Sequence, residues 1–150
     1  MHIAERDRNE SIAQLGVDVR VAFFLDCLKA PGSMATQFNT SWYFYSQGTT
    51  DNPEWPGLED RRLLPLWEHF ECVFAADLIK SPIEYVAFYI ESPEHVRILG
   101  NTIYAPILEM IRLHTWEYGG ELKEIKDAIL LATDRDRLSD FPVNAFNTNA

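Results

Sequence analysis

The strongest constraint on the fold is an alternating pattern of side chains between Leu63 and Glu91. Successive side chains of a β-strand point to opposite faces of a sheet, so a period of two predicts a strand. From His69 to Leu78 one set is apolar and the other is mixed, which indicates an antiparallel sheet with one covered and one partly wet face. The apolar set is Phe70, Cys72, Phe74 and Ala76, and the mixed set is His69, Glu71, Val73, Ala75 and Asp77.

Neighbouring runs predict further strands. The run Leu63–Trp67 precedes this pattern, and Ile83–Ile90 repeats it with high aromatic and β-branched content, which favours a strand. The turn residues Lys80-Ser81-Pro82 lie between the second and third runs and predict an antiparallel hairpin. In the third run one face carries Glu84, Val86, Phe88 and Ile90, and the other carries Ile83, Tyr85, Ala87 and Tyr89.

Two further strands are predicted outside this unit. The aromatic run Ser41–Tyr45 predicts a strand before it. After it, residues 92–95 predict a turn and Val96–Gly100 predicts a short strand.

Ser11 and Gln14 form a potential capping box for a helix from Ser11 to Leu28, although Val17–Leu25 could instead be a strand.

The C-terminal third carries helical patterns. Asn101 or Thr102 is expected to cap a helix whose apolar stripe includes Ile103 and Ile107, and Glu121–Thr133 predicts another. Together these elements predict one α+β domain over residues 1–150. Its antiparallel sheet, of about four to six strands, packs with an N-terminal helix and C-terminal helices. Residues 1–10 and 142–150 are expected to be loosely ordered.

The charge of the chain limits the class of its partners. The 150 residues include 23 acidic and 13 basic ones, for a net charge of −10, and 47% of residues are hydrophobic. A chain this acidic repels phosphates, so nucleic-acid binding is not expected. It would associate rapidly with a basic protein through electrostatic steering, although the same charge also serves solubility alone.

The cysteines and the N-terminus indicate a reducing compartment. Cys27 and Cys72 are expected to be buried thiols rather than a disulfide, and apolar surroundings would raise their pKa. The charged N-terminus has no apolar core of a signal peptide, and no run is long enough to span a membrane. A cytoplasmic location with no membrane contact is expected.

No motif for catalysis or cofactor binding is found. The histidines His2, His69, His95 and His114 lack the spacing of a metal site, and no glycine-rich phosphate loop occurs. Cys27 and Cys72 lack the activating surroundings of a nucleophile. We therefore expect no metal, no cofactor and no catalytic residue.

The candidate binding residues lie in a long turn-rich loop, residues 47–60, and just after it. Long loops in compact domains are often functional, and an exposed Trp55 would be a strong binding anchor. Alternatively, Trp55 folds back to cap the core, as is common for tryptophan. The predicted partner-binding residues are Asp51, Glu54, Trp55, Glu59, Asp60, Glu68 and Glu71.

The order of the elements resembles the SMI1/KNR4-like (SUKH) superfamily. The similar features are an "LLPLWE" strand at residues 63–68, two more strands, and "ILGNTIYAPILEMI" at residues 98–111 as a capped closing helix. The likeness covers residues 11–115. The family's early "LP…fL…NG" signature is absent, since no Asn-Gly follows Phe24-Leu25. The resemblance implies an α+β fold and, for many bacterial members, an immunity protein that neutralises a toxin such as a nuclease.

Three functions remain open on the sequence. The first is a non-enzymatic module that binds a basic protein. The second is an enzyme with an acid–base site built from His69, Glu71 and Asp77, which would need a deep pocket with converging carboxylates. The third is a homodimer or larger oligomer in which Ile83–Ile90, with Tyr85 and Tyr89 outward, pairs between chains.

Overall fold

The computed structural model describes residues 2–16, 44–45, 48–49, 52–53, 55, 57–69, 71–107 and 109, the backbone alone at 48–49 and 52–53. A short 3-10 helix, Glu5–Asp7, leads into one α-helix, and six strands follow. Residues 44–45, 104–107 and 109 are also helical. The named elements are α1 (Arg8–Gln14), β1 (Gly48–Thr49), β2 (Asn52–Pro53), β3 (Leu63–His69), β4 (Cys72–Asp77), β5 (Glu84–Tyr89) and β6 (Ser92–Gly100).

The four long strands form one antiparallel sheet in the order β3-β4-β5-β6. Each strand pairs with the next one along the chain, so short turns suffice as connections. The short strands β1 and β2 pair separately as an antiparallel hairpin. The predicted α+β fold with an antiparallel sheet is confirmed, as are a helix near the N-terminus and a helix after Asn101–Thr102.

The register assigns the two faces of the sheet. Val73 pairs with Phe88 and Ala75 with Val86, while Phe74 pairs with Ala87, so the sets that alternate within each strand lie on opposite faces, as predicted. His69 is the exception, because it ends β3 and pairs with Cys72. It therefore shares the face of Cys72, not the face of Val73, and Glu71 lies in the turn between the two strands.

Both faces of the central strands are covered, which corrects the expectation of a partly wet face. Every residue of β3 and of β4 is buried. On one face Val73 and Phe88 belong to a core cluster that the loop before β3 completes. Its buried members are Phe44, Tyr45, Trp55, Leu58, Leu63, Val73, Ala75, Val86 and Phe88.

Trp55 belongs to this core. Its side chain is 3% exposed, and its ring lies edge-on to Phe88 with centroids 5.4 Å apart. The indole Nε1–H donates a hydrogen bond to the carbonyl oxygen of Phe44 at 3.1 Å, so the polar atom is satisfied. Of the two interpretations of Trp55, capping of the core is confirmed. Phe44 and Tyr45 are helical, so a strand at Ser41–Tyr45 is wrong for these two residues.

The N-terminal segment lies along the outer edge of β3. His2, Ile3 and Ala4 are buried, whereas a loosely ordered terminus was expected. The Ile3 N–H donates to the Leu63 carbonyl at 2.9 Å. Arg8 donates from Nε to the Pro65 carbonyl at 3.0 Å and from Nη2 to the Leu66 carbonyl at 2.8 Å. These groups replace the hydrogen bonds that another strand would make.

The described helix α1 differs from the predicted one at both of its ends. It begins at Arg8 with Asp7 as the N-cap, so Ser11 is an internal, buried residue and forms no capping box. It ends at Gln14, and Gly16 follows with φ +65°. Glycine reaches this left-handed conformation without the steric cost of a Cβ, which suits the end of a helix. Residues 17–28 lie outside the described part.

The last strand is longer and less regular than predicted. It includes Ser92, Pro93, Glu94 and His95, for which a turn was expected. Ala87 pairs with Arg97 but Tyr89 pairs with Ser92, so four residues of β6 (93–96) face the single β5 residue Phe88. The strand therefore bulges along the stretch that contains Pro93. Outside the described residues lie Cys27, the alternative strand Val17–Leu25 and the predicted helix Glu121–Thr133.

Candidate binding surface

Two of the predicted acidic residues lie on a short, well-anchored segment, Gly57–Asp60. Glu59 and Asp60 are exposed, while Leu58 between them and Gly57 is fully buried in the core cluster. The Leu58 N–H donates to the Trp55 carbonyl at 3.0 Å, and the Arg61 N–H donates to the Leu58 carbonyl at 3.1 Å. The turn thus fixes the backbone while its carboxylates face solvent.

The carboxylate of Glu59 is held in a defined position. Its Oε2 accepts a hydrogen bond from the Gly57 N–H at 2.9 Å. Hydrogen bonds from its own backbone N–H and from that of Gly57 lower the pKa of Glu59 below its ordinary value, since both favour the ionised form. Glu59 therefore keeps its negative charge in neutral and mildly acidic solution.

The Gly57 end of the segment lies against β6. Gly57 has φ +89°, and a Cβ at this position would lie 3.2 Å from the Cβ of Glu94. Both the conformation and the close approach require glycine. Because Glu94 is exposed, the fold brings a third carboxylate beside the segment.

Glu71 lies at the end of the sheet where two turns meet. It is exposed in the β3–β4 turn, and its carbonyl oxygen accepts the Ile90 N–H at 2.9 Å. This bond places the β3–β4 turn beside the β5–β6 turn, which carries the exposed Glu91. Glu94 follows three residues after Glu91, so the β6 side of the molecule presents Glu71, Glu91 and Glu94, of which Glu94 lies beside Gly57.

Two predicted partner-binding residues are not on the surface. Trp55 is part of the core, as described above. Glu68 is 3% exposed, and its Oε1 accepts the Phe44 N–H at 2.7 Å, so this carboxylate satisfies a buried backbone donor. Of the other predicted residues, Glu59, Asp60 and Glu71 are exposed. Asp51 and Glu54 lie outside the described residues.

The residues of the alternative acid–base site do not converge. His69 pairs with Cys72 at one end of β4, and Asp77 lies at the other end, five residues away and about 17 Å along the strand. The register also puts His69 and Asp77 on opposite faces of the sheet. Glu71 lies in an exposed turn. The proposed catalytic combination of these three residues is therefore wrong.

Asp77 has a structural role in the described fold. Its carboxylate is fully buried and accepts hydrogen bonds from Arg61 Nη1 at 3.0 Å and from the backbone N–H groups of Arg62 and Ile79 at 3.2 Å. Arg61 also contacts Glu84 at 3.4 Å. These partners compensate the cost of burying the charge and connect the start of β3 to the β4–β5 turn.

The described residues that could react or bind a metal are the Cys72 thiol and the His, Asp and Glu side chains. Burial raises the pKa of the Cys72 thiol to about 11, as predicted, which opposes formation of the nucleophilic thiolate. Within the described ranges no three His, Cys, Asp or Glu residues are grouped as metal ligands would be. In the same ranges, no helix has the length and apolar character of a membrane span.

Glu91 and Glu94 were missed by reasoning from the sequence. Residues 92–95 were interpreted as a turn, and only the pairing of β6 with β5 brings Glu94 beside Gly57. The glycine itself was the available signal, since it lies between Pro56 and a buried Leu58 in a turn-rich stretch.

In comparisons with known proteins, no family model matched the chain, and neither curated proteins nor solved structures gave a match.

Proposed function

We propose that this chain is a non-enzymatic module that binds a basic protein through its acidic β6 side. The observation that carries the proposal is the segment Gly57–Asp60, which exposes Glu59 and Asp60 on a backbone anchored by buried Leu58. A carboxylate that is already fixed loses less conformational entropy on binding than a freely rotating one. The segment therefore suits recognition better than charge dispersed over a mobile surface.

The net charge of −10 acts together with this local geometry. Long-range attraction raises the association rate with a basic protein, while the positions of individual carboxylates determine which basic surface fits. Glu94, which lies beside Gly57, and the exposed Glu71 and Glu91 add further carboxylates on the β6 side. We expect the complex to weaken as salt increases, because exposed charges are screened.

The resemblance to the SMI1/KNR4-like superfamily supports a more specific form of the proposal. In this form the chain is a bacterial immunity protein in the cytoplasm that neutralises a toxin such as a nuclease. A nuclease must carry a basic cleft for its substrate, and an acidic module seated on that cleft would block access. The chain would then need neither a cofactor nor a catalytic residue.

The test is affinity capture from an extract of the source organism at 50 and 500 mM salt, with identification by mass spectrometry. The variant Glu59→Lys/Asp60→Lys reverses two charges in the segment. The control Glu5→Lys/Glu10→Lys reverses two exposed charges near α1, so both variants have a net charge of −6, that is −10 plus 4. Circular dichroism checks that both variants fold.

We expect one basic protein to be captured by the wild type and by the control at low salt, and to be lost with the segment variant. The purified partner is then assayed for nuclease activity with and without one equivalent of the chain. Loss of that activity supports the immunity form. Equal capture by the two variants would contradict the assignment of the surface, and no capture at either salt would contradict the binding function.

A further inference from the structure

The N-terminal strap, defined as residues 2–4, closes the outer edge of β3 through an unusual acceptor. The Ile3 N–H donates to the Leu63 carbonyl, as one strand does to another. In the reverse direction, the Leu63 N–H donates to the imidazole Nδ1 of His2 at 3.2 Å, where a neighbouring strand would offer a backbone carbonyl. A titratable ring thus replaces one backbone group of the sheet edge.

The chemistry of this bond depends on protonation. Nδ1 accepts a hydrogen bond only while it carries no proton, because both ring nitrogens of the imidazolium are donors. A proton on Nδ1 would leave the buried Leu63 N–H without its acceptor and would face it with another donor. We propose that residues 2–4 form a pH-sensitive strap, which is closed along β3 at neutral pH and opens more readily in mildly acidic solution because the open state lets His2 take up a proton.

The surroundings of His2 favour the neutral ring in the closed state. The side chain is 6% exposed, and its ring lies edge-on to Phe44 with centroids 5.7 Å apart. Burial and the positive α-amino group oppose protonation, whereas Asp77 and Glu59 favour it. Asp77 is already bonded to Arg61, which limits its effect on the ring. Burial dominates and lowers the pKa of His2 to about 4.

The direction of the pH effect follows from linkage. In the open state His2 is exposed to water and has its ordinary pKa of about 6.5. Between pH 6.5 and 4 the open state therefore binds more protons than the closed state, so acidification shifts the equilibrium towards opening. With these two pKa values, the equilibrium constant for opening rises about 20-fold from pH 7 to pH 5.

Hydrogen exchange resolved by residue measures this opening. The probes are the amide protons of Ile3 and Leu63, which report the two strap bonds, and that of Ala75 in the centre of β4 as an internal reference. Protection factors, which correct for the intrinsic pH dependence of exchange, are compared at pH 7 and pH 5. We expect those of Ile3 and Leu63 to fall up to about 20-fold and to stay well below that of Ala75 at both pH values, because the strap opens without unfolding of the sheet.

Two variants at His2 separate protonation from loss of contact. In His2→Asn the amide oxygen is attached to Cγ like Nδ1, so it can accept the Leu63 N–H but does not titrate. We expect its protection factors to be the same at both pH values. His2→Phe keeps an aromatic ring but no acceptor, so its strap should open more at both pH values without a pH dependence.

Three outcomes would overturn the proposal. The first is unchanged protection of Ile3 and Leu63 in the wild type between pH 7 and pH 5. The second is protection of Ile3 and Leu63 equal to that of Ala75 at both pH values, which would show that the strap opens only when the whole sheet unfolds. The third is the full wild-type pH dependence in His2→Asn, which would assign the effect to another titratable group.

Discussion

The two outer strands of the described sheet, β3 and β6, are built in opposite ways. Every residue of β3 is buried, and its outer backbone groups bond to His2, Ile3 and Arg8. No residue of β6 is fully buried, and its register with β5 shifts twice. Unprotected sheet edges invite pairing with other chains, and natural proteins block it by covering or by distorting the edge. In this chain the β3 edge is covered and the β6 edge is distorted.

The sheet order also excludes one proposed way of pairing between chains, and it bears on where a partner is expected to bind. Pairing between chains through Ile83–Ile90 was considered, but β5 lies between β4 and β6, and Tyr85 is buried, so this edge is not available. The Gly57 end of the acidic segment lies beside Glu94 on β6, whereas Glu59 is close enough to His2 to interact with it electrostatically. We therefore expect a partner to approach the exposed, charged side of β6 rather than the closed edge at β3.

The largest expected effect comes from equal truncations in the two strands. Leu64 is fully buried in β3, so Leu64→Ala should lower the free energy of unfolding by about 2–5 kcal/mol through lost burial and a residual cavity. Ile98 in β6 is 59% exposed, so Ile98→Ala should change it by less than about 1 kcal/mol. Urea denaturation followed by circular dichroism measures both, and similar losses would refute the contrast.

The next effect concerns the cover of β3. Arg8→Ala removes both hydrogen bonds to the Pro65 and Leu66 carbonyls and should cost about 2–3 kcal/mol, because charged donors make the stronger bonds. Arg6→Ala is the control, since Arg6 is mostly exposed and pairs with the exposed Asp7 at 3.6 Å. Thermal unfolding compares the two, and an equal shift would show that Arg8 does not close the edge.

A smaller effect is expected where the acidic segment meets β6. Gly57→Ala should lower the free energy of unfolding by about 1–2 kcal/mol. Alanine is sterically strained at φ +89°, and its Cβ would lie too close to the Cβ of Glu94. Gly16→Ala shares the positive φ but has open space, so it isolates the strain from the contact. If the two variants lose the same stability, the close approach of the segment to β6 contributes nothing.

The smallest effect compares the prolines of the two edges. Pro65 lies on β3 with its carbonyl towards Arg8, and its missing N–H avoids an unpaired donor at this buried edge. Pro65→Ala would add that donor and should cost about 1 kcal/mol. Pro93 lies in the partly exposed β6, so Pro93→Ala should change stability by less than about 0.5 kcal/mol. Chemical denaturation at two protein concentrations would also show whether either change causes association.

The strands were predictable because their side-chain period is a local property. The turn at the end of β3 was not, because His69 and Cys72 are separated by Phe70-Glu71, which lack the usual turn residues and continue the alternation. Burial of the mixed face was missed for another reason. Glu68 and Asp77 find partners at Phe44 and Arg61, contacts between distant parts of the chain that no local pattern contains.

The candidate surface was predictable only in part. Glu59, Asp60 and Glu71 were identified from the acidic loop and the strand that follows it, and they are exposed. Trp55 and Glu68 come from the same stretch of sequence, but a tryptophan or carboxylate near a sheet can face either the core or water. Which of the two occurs depends on whether a buried backbone group, here the carbonyl or N–H of Phe44, needs a partner.

The most direct test of the account is a hydrogen-exchange footprint of the chain bound to its captured basic partner, compared with the free chain. We predict slower exchange at residues 57–60 and 91–98 on binding, with no change at residues 5–16 and in β3. Slower exchange confined to residues 2–16 and β3, with none at residues 57–60, would contradict the account, because the partner would then occupy the edge that the N-terminal strap closes.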